Sequence, residues 1–153
     1  LRQAIARAAR QGTRIAIAFI DLDHFKEIND QLGHASGDQF LIELARRLTE
    51  NSREEDTIAR WGGDEFLLLM EDIHAPDTAT LLSERILAKL RAPIELCTRT
   101  IEPSASIGIA LFPDDAQSAT SLIEAADKAM YNAKQGGRNR IVSFRSLLSG
   151  HLH

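Results

Sequence analysis

Several residue types are scarce in this sequence, and each scarcity excludes a class of protein. The single cysteine, Cys97, rules out an intramolecular disulfide and a cysteine-based zinc site, and it suits a reducing cytosol. No apolar run approaches the roughly 18 residues of a membrane-spanning helix, and no signal peptide is visible. An excess of positive charge is also missing: the formal net charge is −4, so nucleic acid polymers and anionic membranes are not expected as main partners.

What the sequence does have fits one soluble domain. The 153 residues are 44% hydrophobic and 26% charged, which is enough apolar material for a core and a usual surface. The chain starts at Leu1 inside an amphipathic helical pattern, so we expect a domain cut from a longer protein. We assign residues 1–145 to the domain and 146–153 to a linker or tail without a role. The expected location is the cytoplasm, and other regions of the parent protein could anchor it to a membrane.

The apolar pattern predicts an α+β fold. Residues 14–20 are apolar on both faces, which is typical of a central strand covered on both sides. The order of patterns predicts a mostly antiparallel sheet flanked by helices. We predict helices at 1–11, 25–32, 38–48, 78–90 (with Leu81 inward) and 121–134; loops at 33–37 and 71–76; a hairpin around 62–63; two strands within 94–110; and a last strand at 140–144.

The hairpin carries two acidic residues at its tip. Strand-like runs flank Gly62 and Gly63, and we expect these glycines to supply the positive φ that tight hairpins need. Asp64 and Glu65 follow directly. In an isolated hairpin such acids would be solvated turn residues, so the remainder of the chain has to decide their role.

A second pair of acids, Asp21 and Asp23, ends the first strand. A buried carboxylate is costly unless it is paired or bound to metal. If the strand before Asp21 lies beside the hairpin, Asp21 and Asp64 meet at one edge of the sheet. Two carboxylates with open space between them suit Mg²⁺, which keeps waters and substrate phosphates as its other ligands and serves phosphoryl transfer. The alternative is that both acids are solvated surface residues.

Basic and polar side chains near these acids suggest a nucleotide. Lys26, Lys134 and Arg138 could bind phosphates, although each could equally be a solvated residue at a helix end. Asn29 and Asp38 could read a base, because a carboxylate accepts hydrogen bonds from the N1 and 2-amino groups of guanine. The structural alternative makes Asp38 a helix N-cap and Asn29 a turn residue.

Five separated segments, in the right order, carry a family resemblance. They are residues 62–66 (GGDEF, after Arg60 and Trp61), 19–30, 33–38, 106–110 and 125–139. Over residues 14–144 the chain resembles the GGDEF family, the diguanylate cyclase domains that join two GTP molecules into cyclic di-GMP. The family fold is similar to that of adenylate cyclase catalytic domains and the polymerase palm. An Asp-x-Leu-Thr segment usual before the family's first helix has no counterpart here, and we expect the sequence to begin after it.

The resemblance implies a metal site and catalytic roles. Asp21, Asp64 and the backbone carbonyl of Leu22 would hold Mg²⁺, with Mn²⁺ as the alternative ion. Asp64 would also be the general base for the attacking 3′-hydroxyl, and Glu65 would assist with the metal or that hydroxyl. Lys26 would stabilise charge on the phosphates in the transition state.

The resemblance also implies a GTP site. Lys134 and Arg138 would bind the β and γ phosphates, Asn29 and Asp38 the guanine, and His34 would lie in the same pocket. Gly62 and Gly63, without side chains, would let the nucleotide lie close to the turn. Relatives that accept ATP carry a different residue at the position of Asp38, which therefore favours GTP.

Two further residues fall where the family places its inhibitory RxxD site. Arg53 could stack on guanine and bind phosphate, while Asp56 could accept from the guanine edge, so that the product would inhibit as an intercalated dimer. Taken alone, such a charged turn is usually a solvated loop. Arg85, on the next helix, aligns loosely with a second part of that site.

The function expected from the resemblance is a diguanylate cyclase that condenses two GTP into cyclic di-GMP and pyrophosphate. Because each domain holds one GTP, activity would require a homodimer. The alternative is a module that senses GTP or cyclic di-GMP and regulates a fused domain such as a phosphodiesterase. The intact acids favour the enzyme, and a fused sensor or phosphodiesterase domain is expected in the parent protein.

Overall fold

The computed structural model describes residues 1–150, with side chains through residue 148. Within this range no helix has the length and apolar character needed to cross a lipid bilayer. The elements in chain order are α1 (Arg2–Gln11), β1 (Arg14–Leu22), α2 (Phe25–Leu32), α3 (His34–Asn51), β2 (Thr57–Arg60), β3 (Glu65–Ile73), α4 (Pro76–Leu90), β4 (Ile94–Leu96), β5 (Arg99–Ile101), β6 (Ala105–Phe112), α5 (Ala119–Gln135), β7 (Arg140–Ser143) and α6 (Phe144–Gly150).

Five strands form the main sheet in the order β2-β3-β1-β6-β7. Every neighbouring pair is antiparallel except β6 and β7, which are parallel and are connected through α5. A separate two-stranded hairpin consists of β4 and β5. The predicted α+β class, with a mostly antiparallel central sheet and flanking helices, is confirmed.

The central strand β1 separates two cores. Ala18 and Ile20 belong to one core, which lies under α2, α3 and α4, whereas Ile17 and Phe19 belong to the other, under α1 and α5. Successive side chains of a strand point to opposite faces, so only a strand apolar on both sides can occupy this position. Burial of each large aliphatic side chain contributes about 1.5–3 kcal/mol, and this dense packing fixes where the strand ends.

Helix α5 lies directly on β6 because Gly108 has no side chain. A Cβ atom at Gly108 would collide with the backbone of α5 at Ala126 and Met130. Close approach of helix and sheet holds the C-terminal end of α5 over the end of β1. The predicted inward stripe of α5 is confirmed, since Leu122, Ala126, Ala129, Met130 and Ala133 are all buried.

The predicted loop at residues 33–37 is wrong, because α3 already begins at His34. Gly33, at φ 90°, separates α2 from α3, and the next residues are helical although they include serine and glycine, which are weak helix formers. Burial of Ser36 and Gly37 outweighs their weak propensity. Asp38 therefore lies in the second turn of α3, and the N-cap interpretation of Asp38 is also wrong.

The predicted loop at residues 71–76 is shorter than expected. Strand β3 continues to Ile73, and α4 begins at Pro76, where the missing amide hydrogen of proline costs no helical bond. Leu81, which was predicted to point inward from α4, is 63% exposed and is a wrong assignment.

The chain between residues 94 and 112 forms three strands rather than two. Cys97, at φ 56°, turns β4 into β5, and β6 follows after a break at Pro103. The last strand ends at Ser143, one residue before the predicted end, and α6 follows it. Helix α6 includes part of the segment that was expected to be a tail, residues 146–153. Residues 151–153 lie outside the described residues. The domain boundary at residue 145 stays a prediction.

Candidate active site

The end of β1 meets the hairpin between β2 and β3 at one edge of the sheet. Asp21 is paired in register with Glu65, and the amide of Leu22 donates to the carbonyl of Asp64 at 3.0 Å. Antiparallel pairing of β1 and β3 therefore brings Asp21 and Asp64, which are distant in the sequence, to the same edge of the sheet. The expectation that these strands are neighbours is confirmed.

The hairpin tip does not use glycine in the way we expected. Neither Gly62 nor Gly63 has a positive φ, so that interpretation is wrong. The tip is a wider loop in which Arg60 donates from Nε to the carbonyl of Gly62 at 3.1 Å and from Nη2 to that of Gly63 at 2.7 Å. An arginine two residues before paired glycines was the available signal for this contact, which the sequence-based prediction missed.

Negative charge accumulates at this edge. Burial raises the pKa of Asp21; a hydrogen bond with Lys134 opposes that rise, and repulsion from Asp64 adds to it. The pKa of Glu65 is also raised, by burial and then by Asp21 and Asp64. Carboxylates that are reluctant to ionise together are stabilised by a cation between them.

The oxygen ligands at this edge suit Mg²⁺, which keeps water and phosphate ligands, better than a metal ion whose ligands all come from the protein. In the part of the chain that the structure describes, no cluster of three or more histidine, cysteine or acidic residues is arranged to hold a metal ion. Mg²⁺ commonly takes one or two carboxylates and fills its other positions with water and substrate phosphates. Asp21, Asp64 and the carbonyl of Leu22 are hard oxygen donors of this kind.

A cleft of about 240 Å³ opens beside these acids. Its lining includes the following residues that were singled out from the sequence: Asp21, Leu22, Asp23, Lys26, Asp64, Lys134 and Arg138. Lys134 reaches across from the last turn of α5 and forms an ion pair with Asp21. A larger groove of about 740 Å³, between α1 and the β6–α5 connection, contains none of the predicted site residues.

The predicted base-reading residues lie apart from this cleft. Asp38 lines a second cleft of about 280 Å³ together with Leu41, Ile42, Ala45, Arg60 and Phe66. Phe66 belongs to the core under α2, α3 and α4, whereas the neighbouring Leu67 belongs to the core under α5. By strand alternation Glu65 lies on the α5 side. The two clefts share no lining residue.

Asn29 and His34 have different positions near α3. The amide of Asn29 lies against Gly37, where a Cβ atom would collide with it. Only glycine at position 37 therefore leaves Asn29 in its place. His34 is exposed in the first turn of α3 and lines neither cleft, and Gly62 and Gly63 also lie outside both linings.

The comparison with known proteins decides the family. The family described as "Diguanylate cyclase, GGDEF domain" matches residues 1–140. This chain belongs to the GGDEF family. The GGDEF domain is 47% identical over 149 residues to the bifunctional diguanylate cyclase/cyclic di-GMP phosphodiesterase MucR of Pseudomonas aeruginosa, covering 97% of this chain and 22% of MucR.

Solved structures agree with this assignment. The crystal structure of the GGDEF domain of TpbB (YfiN) from Pseudomonas aeruginosa is similar with a TM-score of 0.91 and 41% identity, covering 94% of this chain and 89% of that one. The GGDEF domain of DgcB from Caulobacter crescentus, solved in complex with cyclic di-GMP, has a TM-score of 0.87 and 31% identity, covering 95% and 86%. The predicted palm-like cyclase fold is confirmed.

Asp23, directly after β1, has different hydrogen-bond partners from Asp21, although both line the acid-and-cation cleft. Asp23 is 4% exposed and both of its carboxylate oxygens accept hydrogen bonds. The donors are the hydroxyl of Ser104 at 2.6 Å, the hydroxyl of Ser106 at 2.7 Å and the amide of Asn139 at 2.9 Å. Sequence analysis found the acid but not its partners, and serines at alternate positions near the start of β6 were the only local signal.

The RxxD residues of the GGDEF domain bind each other. The guanidinium of Arg53 donates from Nη2 to Asp56 at 2.8 Å and to the carbonyl of Glu71 at 2.7 Å, and its backbone amide donates to Asp56 at 2.9 Å. The Asp56 side chain is 2% exposed, so the solvated-loop alternative is wrong for it. Arg85 lies nearby and donates to the carbonyl of Asn51 at 3.1 Å.

Proposed function

We propose that this domain is a diguanylate cyclase that condenses two GTP molecules into cyclic di-GMP. The observation that supports this most strongly is the pairing of β1 with β3, which sets Asp21 beside Asp64 in one cleft with Lys134 and Arg138. In each of two half-reactions a 3′-oxygen forms a bond to the α-phosphorus of the other nucleotide, and the bond to pyrophosphate breaks. The products are one cyclic di-GMP and two pyrophosphates.

The acids of the cleft would accept the proton of the 3′-hydroxyl and hold the metal ion that neutralises the triphosphate. Asp64 would accept the 3′-hydroxyl proton, and the neighbouring Glu65, whose pKa is raised, would assist it. Mg²⁺, or Mn²⁺, held by Asp21, Asp64 and the Leu22 carbonyl would neutralise the triphosphate and favour the ionised hydroxyl. All three residues lie where the end of β1 meets the hairpin tip, so the attack and the neutralisation of charge would both take place at this edge of the sheet.

The cations of the cleft would bind the triphosphate. Lys134 and Arg138 come from the end of α5 and the loop after it, and Lys26 comes from the first turn of α2, so they approach from two sides. Arginine offers phosphate a two-pronged donor and lysine a point charge. Lys134 has to leave Asp21 to bind a phosphate, and a cation at Asp21 would release it.

The base would occupy the second cleft, which Asp38 lines. Asp38 can accept from the N1 and 2-amino groups of guanine, and Asn29 supplies the amide on the α2 side. A nucleotide that occupied both clefts would lie close to the tip at Gly62 and Gly63. The space around Gly63 is open: apart from its chain neighbours, no atom of the described residues lies within 4 Å of the position of a Cβ. His34, exposed at the start of α3, would contact only the rim of this site.

The same geometry makes the reaction depend on two copies of the domain. One domain offers one triphosphate cleft and one base cleft, so each 3′-hydroxyl must reach a nucleotide held by a second copy. We therefore propose a homodimer as the active form. Product synthesis should rise more steeply than linearly with protein concentration below the dissociation constant of the dimer, and linear synthesis across that range would contradict the dimer.

Product inhibition at Arg53 and Asp56 would require these residues to separate. Both groups that would bind cyclic di-GMP satisfy each other here, and Arg53 also bonds the carbonyl of Glu71. The guanine edge would have to replace the Arg53 guanidinium at Asp56. Inhibition by product is thus proposed as an exchange of one charged partner for another.

The decisive experiment incubates the domain at high concentration with GTP and Mg²⁺ and measures cyclic di-GMP. We expect product from the native domain and from Glu95→Ala, which removes an exposed carboxylate on β4, and none from Asp64→Ala. If the native domain binds GTP without making product, the sensing alternative replaces this proposal. MucR, named as bifunctional, provides a precedent for a phosphodiesterase fused to such a domain. The chain spans 22% of MucR, so any such partner in this protein is a proposal.

A further inference from the structure

The loop that carries Arg138 has an unusual backbone. Gly137, Arg138 and Asn139 have φ values of 118°, 63° and 49°, three consecutive positive values. For residues with a side chain the left-handed region is unfavourable, so the loop keeps this shape only if other contacts fix it. Arg138 lines the acid-and-cation cleft in this conformation.

The amide of Arg138 donates to the carbonyl of Ala133 at 3.0 Å, and Asn139 links the loop to the end of β1. Its backbone amide donates to the carboxylate of Asp23 at 2.9 Å, and its side-chain oxygen accepts from Nε of Arg91 at 2.8 Å. Asp23 itself is held by the hydroxyls of Ser104 and Ser106. The end of β1, the start of β6 and the loop after α5 thus meet at one buried carboxylate.

We propose that Asp23 is a positioning residue that holds Arg138 in the cleft for the terminal phosphates of GTP. This inference rests on the proposed function and adds a role for the acid directly after β1. With a neutral side chain at position 23, the amide of Asn139 loses its charged acceptor. The loop then relaxes toward ordinary φ values, and the guanidinium of Arg138 leaves the cleft.

The first test compares two nucleotides that share a base but differ in phosphates. Asp23→Asn should bind GTP about tenfold more weakly than the native domain, the loss expected for one charge-assisted hydrogen bond, while binding of GMP is unchanged. Isothermal titration calorimetry measures both. A folded Asp23→Asn domain that loses GTP and GMP affinity equally, or loses neither, would overturn the proposal.

The second test asks whether Asp23 acts through Arg138. Arg138→Ala should itself weaken GTP binding, and adding Asp23→Asn to it should cause no further loss, because the side chain to be positioned is already gone. Multiplicative losses in the double variant would mean that Asp23 acts by another route. This non-additivity would not arise from a general loss of stability.

A pair of buried serines supplies milder variants in case Asp23→Asn does not fold. Ser106→Ala removes one hydrogen bond to Asp23, whereas Ser83→Ala removes a buried hydroxyl that has no hydrogen-bond partner among the described residues. GTP affinity should fall severalfold in Ser106→Ala and stay native in Ser83→Ala. Equal GTP affinity in the two variants would overturn the proposal.

A measurement without nucleotide tests whether Asp23 fixes the loop, whether or not the domain binds GTP. Hydrogen exchange at the amide of Asn139 should be slow in the native domain and faster in Asp23→Asn, while amides within β1 keep their protection. If the native domain binds no GTP, the proposed function fails, and the Asn139 amide then decides whether Asp23 fixes the loop. An unchanged exchange rate would overturn the proposal.

Discussion

Lys134, in the last turn of α5, forms an ion pair with Asp21, the carboxylate at the end of β1. The side chain of Asp21 is 7% exposed and that of Lys134 is 32% exposed. A buried carboxylate thus has a partly solvated partner that it can exchange. Lys134 compensates the charge of Asp21 in this structure, and under the proposed function a cation at Asp21 would make Lys134 available to a phosphate.

The first prediction concerns Lys134→Met. We expect a loss of about 1–2 kcal/mol in the free energy of unfolding at neutral pH, because Asp21 is left as a buried charge without its partner. Urea denaturation at pH 7 measures this loss. Lys128→Met, an exposed lysine on the same helix, is the control and should be nearly neutral. Equal effects of the two substitutions would show that the ion pair contributes nothing.

The second prediction concerns Asp64→Asn and its dependence on pH. The folded-state pKa values of Asp21 and Glu65 are raised above the ordinary 3.8 and 4.5, partly by Asp64. A raised carboxyl pKa means that the folded state holds the proton more tightly, so stability falls as pH rises through these values. Asp64→Asn should remove part of this cost and stabilise the metal-free domain at pH 7 by about 0.5–1 kcal/mol.

Thermal unfolding at several pH values tests this sign. The advantage of Asp64→Asn should disappear below about pH 3, where the carboxyls are protonated in both folded and unfolded states. Mg²⁺ should raise the Tm of the native domain more than that of the variant. A variant that is less stable than the native domain at pH 7 and more stable in acid would contradict the electrostatic interpretation.

The third prediction concerns Asp38→Ser and base choice. Serine has one hydroxyl in place of a carboxylate that can accept two hydrogen bonds, so discrimination of GTP from ATP should fall by about tenfold or more. Competition binding of the two nucleotides measures the ratio. Gln39→Ser, the next exposed position of α3, should leave it unchanged. Native discrimination in Asp38→Ser would count against the base-reading role.

The fourth prediction concerns Arg53→Ala. Inhibition by cyclic di-GMP should weaken by more than tenfold, and the domain should lose about 1–2 kcal/mol of stability because the buried Asp56 loses its charged partner. Arg46→Ala, which breaks exposed ion pairs with Glu43 and Glu50, should leave inhibition unchanged. Native inhibition in Arg53→Ala would remove this residue from the inhibitory site.

The fifth prediction concerns Gly37→Ala. The new Cβ would occupy the place of the Asn29 amide, which can rotate away at a cost within about 1 kcal/mol, so the domain should fold. GTP affinity should fall to the level of Asn29→Ala, and the double variant should be no weaker than either single one. Calorimetric titration of all three variants tests this, and additive losses would separate Gly37 from Asn29.

The local patterns of the sequence predicted most elements of the fold but not their ends. The predicted helix at residues 25–32 is confirmed. Its apolar pattern and the glycine at its C-terminal end both indicated the same boundary. The beginning of α3 was missed because Ser36 and Gly37 have weak helix propensity, and contact with α2 decides their conformation. The same holds for Leu81, whose exposure depends on what the neighbouring elements leave uncovered.

The candidate site was predicted through its motif residues and missed where contacts are distant. Asp21 and Asp64 were assigned through the family resemblance, because the residue pattern alone also allowed solvated surface acids. The hydrogen-bond donors to Asp23 are Ser104, Ser106 and Asn139, which are 81, 83 and 116 positions away in the sequence. No window of sequence contains such contacts, so the carboxylate was visible without its partners.

By itself the sequence determined that residues 14–20 form a buried strand, because they are apolar on both faces, and that acids follow them. Only the tertiary structure decided which acid could hold a metal and which is held by the protein. Asp21 faces Asp64 and Lys134, whereas Asp23 accepts three hydrogen bonds. The reason is register: the two acids lie only two residues apart, and the strands and loops packed around the end of β1 give each a different set of neighbours.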